Sequence, residues 1–107
     1  MSDEERDFYS GFIRLHILHH ASEEEIFGAS IMEELARHGY RLSPGTLYPV
    51  LHAMERKGLL SSKERKDGRQ IRRFYRATPK GRRALQAAKH KIQELFGELL
   101  EHDHHEH

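Results

Sequence analysis

The sequence predicts a mainly α (α+β) chain, a winged helix-turn-helix with a two-stranded wing and a long C-terminal dimerisation helix. Three observations carry that prediction. Residues 42–60, LSPGTLYPVLHAMERKGLL, specify a short helix punctuated at both ends. Two strand-like segments follow, separated by a turn containing Asp67 and Gly68. Beyond them Leu85, Ala88, Ile92, Leu95 and Leu99 recur at spacings of 3, 4, 3 and 4, a short heptad seam.

The first seven residues, MSDEERD, are polar and acidic, and the first few are expected to be poorly ordered. An amphipathic helix is predicted from Phe8 to about His20, with Phe8, Phe12, Ile13, Leu15, Ile17 and Leu18 forming its apolar stripe. Ser22 followed by Glu23, Glu24 and Glu25 reads as a helix start, because carboxylates stabilise the positive end of the dipole. The second helix is predicted to run to about His38, turning Ile26, Phe27, Ile31, Met32 and Leu35 inward, and Gly39 stops it.

In the third helix Ser43 stands at the N-cap and Pro44 at the first helical position, and Gly58 closes it. Leu47, Val50, Leu51 and Met54 share one face; Thr46, Pro49, His52, Ala53 and Arg56 lie opposite. Ser43, Gly45 and Thr46 leave the opening turn small and polar, with N–H groups to offer an anion, and Tyr48 adds a phenol. Pro49 removes the hydrogen bond to the Gly45 carbonyl; a slight kink and a simply irregular first turn both accommodate it.

The hairpin is predicted over Leu59–Lys66 and Ile71–Ala77. Ile71, Arg73, Tyr75 and Ala77 point one way, and Arg72, Phe74 and Arg76 the other. Lys63, Arg65, Lys66, Arg69, Arg72 and Arg73 make it strongly basic, which suits contact with phosphate; an edge guarded by charge against aggregation is the competing reading. Thr78 and Pro79 open the last helix, predicted over residues 79–101 and about 35 Å long. Phe96 and Leu100 widen its apolar seam. A three-helix core is too small to cover that length, so a second copy is expected to bury the surplus; an intramolecular pairing with the first helix is the alternative. The domain division is 1–78, the winged helix; 79–101, the dimerisation helix; and 102–107, a His-rich tail.

Charge is partitioned along the chain. Residues 41–91 hold fifteen Lys or Arg against Glu55, Glu64 and Asp67, a net of +12, so the remainder of a chain of net +1 carries −11. A basic middle between acidic ends suits a face that meets phosphate, and is too lopsided for an ordinary solvated surface. With no cysteine there are no disulfides, thiolate metal sites or cysteine nucleophiles. Neither a signal core nor a membrane-length apolar run occurs, so a cytoplasmic location is expected. There is no glycine-rich phosphate loop, and Ser43 to Thr46 is accounted for by the start of a helix, so no enzyme is expected.

Ten histidines are too many for a chain of 107 residues to leave unremarked. His102, His104, His105 and His107 stand in the terminal EHDHHEH, where imidazoles and carboxylates could hold Zn or Ni; a plain polar tail is the other reading. His16 and His20, at i and i+4, share a helical face and could chelate as well.

The string SPGTLYPVLHAMERKGLL, the basic hairpin and RRFYRATPKGRRAL together resemble the PadR family of winged-helix transcriptional regulators, over roughly Leu15 to Leu85. The resemblance implies a homodimer that binds a pseudo-palindromic double-stranded DNA operator, usually as a repressor, and releases it on sensing a small-molecule effector. It places Ser43, Gly45, Thr46, Tyr48 and His52 on the recognition helix and Lys63, Arg65, Lys66, Arg69 and Arg72 on the wing. Tyr75, Thr78 and Gly81 match the strand-to-helix joint. The chain departs from the family at Phe27, Gly28 and Ala29, where an apolar residue, Gly and Tyr are usual, and it resembles the short branch with one C-terminal helix. Dimer and effector contacts are therefore expected at Phe8, Phe12, Leu15, Leu85, Ala88, Ile92, Leu95, Phe96 and Leu99. A winged helix used only for protein interaction, and a metal-responsive regulator working through the histidine tail, are the alternatives; the fifteen basic residues of the middle segment argue against the first.

Overall fold

In a computed structural model that describes residues 1–101, the first helix, α1 (Asp3–Glu23), begins at a capping box. The Glu5 N–H donates to Ser2 Oγ at 3.2 Å, and the Ser2 N–H donates to the Glu5 carboxylate at 3.3 Å. Residues 3–7, expected to precede the helix, are thus part of it: Ser2 and Glu5 satisfy first-turn donors, and Asp3, Glu4 and Glu5 complement the dipole.

The helix also runs past His20, through Ser22, so Ser22 is not a cap; its hydroxyl is buried without a hydrogen-bond partner among the described residues. Ile26 and Phe27, expected on the second helix, form a short strand β1 (Ile26–Phe27). Their partners are Tyr75 and Phe74, about fifty residues along the chain, and that long-range pairing overrides the local helix signal. The second helix, α2 (Gly28–Arg37), starts only after it. Ser30 Oγ accepts from the Phe27 N–H at 3.1 Å and donates to the Phe27 carbonyl at 2.8 Å.

Both ends of the helix-turn-helix close in the same way. After α2, Gly39 at φ 88° lets its N–H reach the Ala36 carbonyl and the Tyr40 N–H reach Leu35. The third helix, α3 (Pro44–Arg56), continues unbroken through Pro49 and ends at Gly58, φ 78°, with the Leu59 N–H on the Met54 carbonyl. Two strands follow, β2 (Leu60–Asp67) and β3 (Gln70–Ala77), turned at Gly68 and Arg69. The sheet order is β1-β3-β2, all antiparallel, so the wing has a third, short strand that the sequence reading lacked.

The core gathers one face from every element: Ile13, Ile17 and Leu18 from α1, Ile31 and Leu35 from α2, Leu47, Leu51 and Met54 from α3, and Leu60, Tyr75 and Ala77 from the sheet. The last helix, α4 (Pro79–Phe96), is docked by its first two turns and continues as a π-helical turn over Gly97–Glu101. Thr78 Oγ accepts from the Gly81 N–H at 3.0 Å, and Lys80 Nζ donates to the Lys57 carbonyl at 2.8 Å, at the C-terminus of α3. Gly81 lies so close to the turn after α3 that a Cβ there would meet the Leu59 carbonyl oxygen. Leu85 completes the core, and no helix among the described residues is long and apolar enough to cross a membrane.

Candidate nucleic-acid interface

Helix α3 buries Leu47, Leu51 and Met54, and that anchoring turns Ser43, Gly45, Tyr48, His52 and Arg56 outward, with Thr46 half-buried. Ser43 makes no capping bond to the helix backbone; its hydroxyl donates to Thr46 Oγ1 at 3.3 Å. The Thr46 N–H is taken by the Ser43 carbonyl at 3.0 Å, and Pro44 has no N–H. With the Thr46 N–H taken, this turn has one backbone donor fewer to offer an anion than the sequence suggested, and the Ser43 hydroxyl proton is already directed at Thr46.

Tyr48 is seated across Gly28, where an added Cβ would overlap its phenol ring and hydroxyl. Gly28, which the family pattern shares, clears the space that Tyr48 fills; the departure noted in the sequence is its neighbour Ala29, an exposed residue where Tyr is usual. The contact sets the Tyr48 hydroxyl beside the first turn of α2, and the His52 ring follows one turn along α3 at 6.4 Å between centroids. A cleft of about 330 Å³ runs from Phe27, Gly28 and Ala29 past Tyr48 to Gln70, Ile71, Arg72 and Arg73. Helix start, phenol and arginines there border one concavity, a suitable setting for a phosphate. Nothing in the sequence marks the Gly28–Tyr48 contact, which joins residues twenty apart.

The wing's basic residues fall into two groups. Arg65 Nη1 donates to both carboxylate oxygens of Glu25 at 2.8 Å, and its guanidinium lies 4.0 Å from the Phe74 ring centroid. That hydrogen bond holds the Glu25 carboxyl below the usual glutamate range against the opposing effect of burial, with the charges of Arg65, Arg76 and Lys63 adding to it. Arg72 lies 4.5 Å from the Phe27 ring centroid, and its Nε is 2.9 Å from Asp67, a charge contact without hydrogen-bond alignment. Phe27 and Phe74 meet edge to face at 5.5 Å, so an Arg-Phe-Phe-Arg layer stiffens this face. Arg73 is likewise engaged, with Ser62 at 3.0 Å and Glu64 at 2.7 Å.

Lys63, Lys66 and Arg69 form the second group: exposed, and in no ion pair among the described residues. Arg76, which the sequence reading placed on a strand face without a role, belongs with them and lines a cleft with Lys63, Ser61 and Glu25. Glu25 was legible only as a helix-opening carboxylate, because its partner Arg65 is forty residues away.

Of the residues expected at a dimer surface, Leu85 is buried within the single chain and Leu15 and Ala88 are half-buried. Phe8, Phe12, Ile92, Leu95, Phe96 and Leu99 are exposed, from 43% for Ile92 to 77% for Phe8. A cleft of about 400 Å³ lies between α1 and the start of α3, bordered by Arg6, Ser10, Ile13, Leu42, Thr46 and Val50. The four C-terminal histidines, His102, His104, His105 and His107, lie outside the described residues.

Comparison with known proteins places this arrangement. Residues 17–87 match the family described as transcriptional regulator PadR-like. Over 95 residues the chain is 53% identical to transcriptional regulator Rv3488 of Mycobacterium tuberculosis, covering 89% of each chain. A PadR family transcriptional regulator of Eggerthella lenta superposes with a TM-score of 0.71 at 32% identity, over 89% of this chain and 87% of that one. A PadR-like transcription factor of Bacteroides fragilis gives 0.78 at 24% identity, over 94% of this chain and 98% of the other, a likeness of fold.

Proposed function

Because the chain belongs to the PadR-like family of transcriptional regulators, we propose that it binds a double-stranded DNA operator as a homodimer, acts as a repressor, and is released by a small-molecule effector. In this reading α3 enters the major groove through Ser43, Gly45, Thr46, Tyr48 and His52, and the wing tip meets flanking backbone through Lys63, Lys66 and Arg69. Arg65 and Arg72 keep the wing rigid and stand second in line for phosphate. The observation that carries the reading is that outward face of α3, flanked by exposed cations that form no ion pair among the described residues.

The exposed row on α1 and α4 supports a symmetric partner. Phe8, Phe12, Ile92, Leu95, Phe96 and Leu99, about half exposed or more, each forgo roughly half or more of the about 1.5 to 3 kcal/mol that full burial would give, and a second copy presenting the same row covers them. An effector held between these helices, near Phe8, Phe12, Ile92 and Phe96, would change the separation of two recognition helices that must sit about 34 Å apart. The test is selection of bound duplexes from a random pool. Enrichment of an inverted repeat with half-sites about one helical turn apart is expected, and recovery of no common sequence would refute specific reading.

A further inference from the structure

Three imidazoles from two helices converge on the side of the core where α1 meets the end of α2. His16 and His20 stand one turn apart on α1 with rings within 11° of parallel, and His38 caps α2 with its ring centroid 4.5 Å from that of His16. One ring nitrogen from each lies within 4.8 Å of the other two. Glu34 adds an oxygen: its Oε1 is 3.5 Å from both His20 Nε2 and His38 Nε2, while its Oε2 accepts from Arg37 at 3.0 Å.

We propose that His16, His20, His38 and the Glu34 carboxylate form a binding site for a divalent first-row transition cation, Zn²⁺ foremost. Around tetrahedral Zn²⁺, with bonds of about 2.0 to 2.2 Å, neighbouring ligand atoms stand about 3.3 Å apart. Glu34 already meets that spacing with two of the histidines, and the imidazoles close by no more than roughly 1.5 Å to reach it. All three are at least partly exposed, so ring rotation suffices. The Tyr40 ring, 5.5 Å from that of His16, and the Glu34–Arg37 hydrogen bond support the ligands from outside, as the outer shell of a metal site does. Three nitrogens and one oxygen without sulfur suit Zn²⁺, Co²⁺ or Ni²⁺ and disfavour Cu⁺, and the imidazoles disfavour Mg²⁺ and Ca²⁺.

The position gives such a site a consequence. His38 is the last residue before Gly39, and Gly39 to Ser43 is the whole link into α3. A metal here pins that link to α1, the helix with the exposed Phe8 and Phe12, so occupancy bears on the recognition helix and the proposed dimer surface together. That consequence rests on the DNA-binding reading; the site does not, and its test uses no DNA.

The test is calorimetric titration of Zn²⁺ into the full-length chain carrying His102→Gln, His104→Gln, His105→Gln and His107→Gln, which removes the tail's imidazoles. One Zn²⁺ per chain, with an affinity within threefold of wild type, is expected. Adding His38→Gln, a substitution at an exposed residue, should weaken binding at least tenfold and abolish the zinc-dependent rise in melting temperature, while the metal-free melt and far-UV circular dichroism stay unchanged. Adding His16→Gln with His20→Gln should remove binding altogether. No binding by the tail variant, or affinity undiminished by His38→Gln, overturns the proposal; the first result with a wild type that does bind assigns the metal to the tail.

Discussion

Lys66→Ala combined with Arg69→Ala separates a wing that touches DNA from a wing that merely carries charge. Neither side chain forms an ion pair among the described residues, so the change breaks no charge contact of the fold and acts on the partner alone. Every phosphate that a cation no longer neutralises takes about 0.9 from the log–log slope of affinity against salt. Two such cations in each of two protomers give a flattening of about 3.6. Between about 50 and 200 mM salt, a slope change of that size makes the fall in affinity smaller by roughly 100-fold. Arg65→Ala is the control: its guanidinium is held by Glu25 and lies over Phe74, so its removal should flatten the slope by less than about 0.9 per protomer. Fluorescence anisotropy with a labelled, pool-selected duplex across that salt range measures all three slopes. A double-variant slope equal to wild type refutes the division of the wing, and so does an Arg65→Ala effect as large as that of the pair.

Further outcomes follow from single residues. Tyr48→Phe should leave the melting temperature unchanged and weaken operator binding about 5- to 10-fold, a hydrogen bond's worth, in the same anisotropy assay. Gly81→Ala should cost at least about 1 to 3 kcal/mol in chemical denaturation, because its Cβ would strike the Leu59 carbonyl; Gly28→Ala should cost less, since the obstacle there is a side chain that can swing away, but should displace Tyr48 and weaken DNA binding. Leu95→Glu with Leu99→Glu should give monomers by sedimentation and lose operator binding, and a wild type that sediments as a folded monomer at micromolar concentration would falsify the dimer. Glu25 has a folded-state pKa below its unfolded one, so its pairing with Arg65 stabilises at neutral pH and is lost as pH falls through the folded value. Its side-chain NMR titration midpoint should lie below the ordinary glutamate range and rise in Arg65→Ala.

By itself the sequence determined whatever local chemistry fixes. Pro44 starts α3, Gly39 and Gly58 end α2 and α3, and the alternation along residues 71–77 sends Tyr75 and Ala77 inward, because proline's fixed φ, left-handed glycines and strand periodicity act within a few residues. The heptad spacing of α4 and the basic middle segment were equally plain; the seam is exposed from Ile92 onward, while Leu85 joins the core and Ala88 is half-buried. Tertiary structure alone decided where distant segments compete for the same residues. Ile26 and Phe27 became strand rather than helix because β3 offered them partners, and α1 kept Ser22 because α2 could then begin only at Gly28. The same distance hid which cations are engaged: Arg65 finds Glu25 forty residues away, and Lys66 beside it finds no carboxylate among the described residues. His38 joins His16 and His20 for the same reason, since periodicity shows which residues share one helix face but not which helix end packs against it.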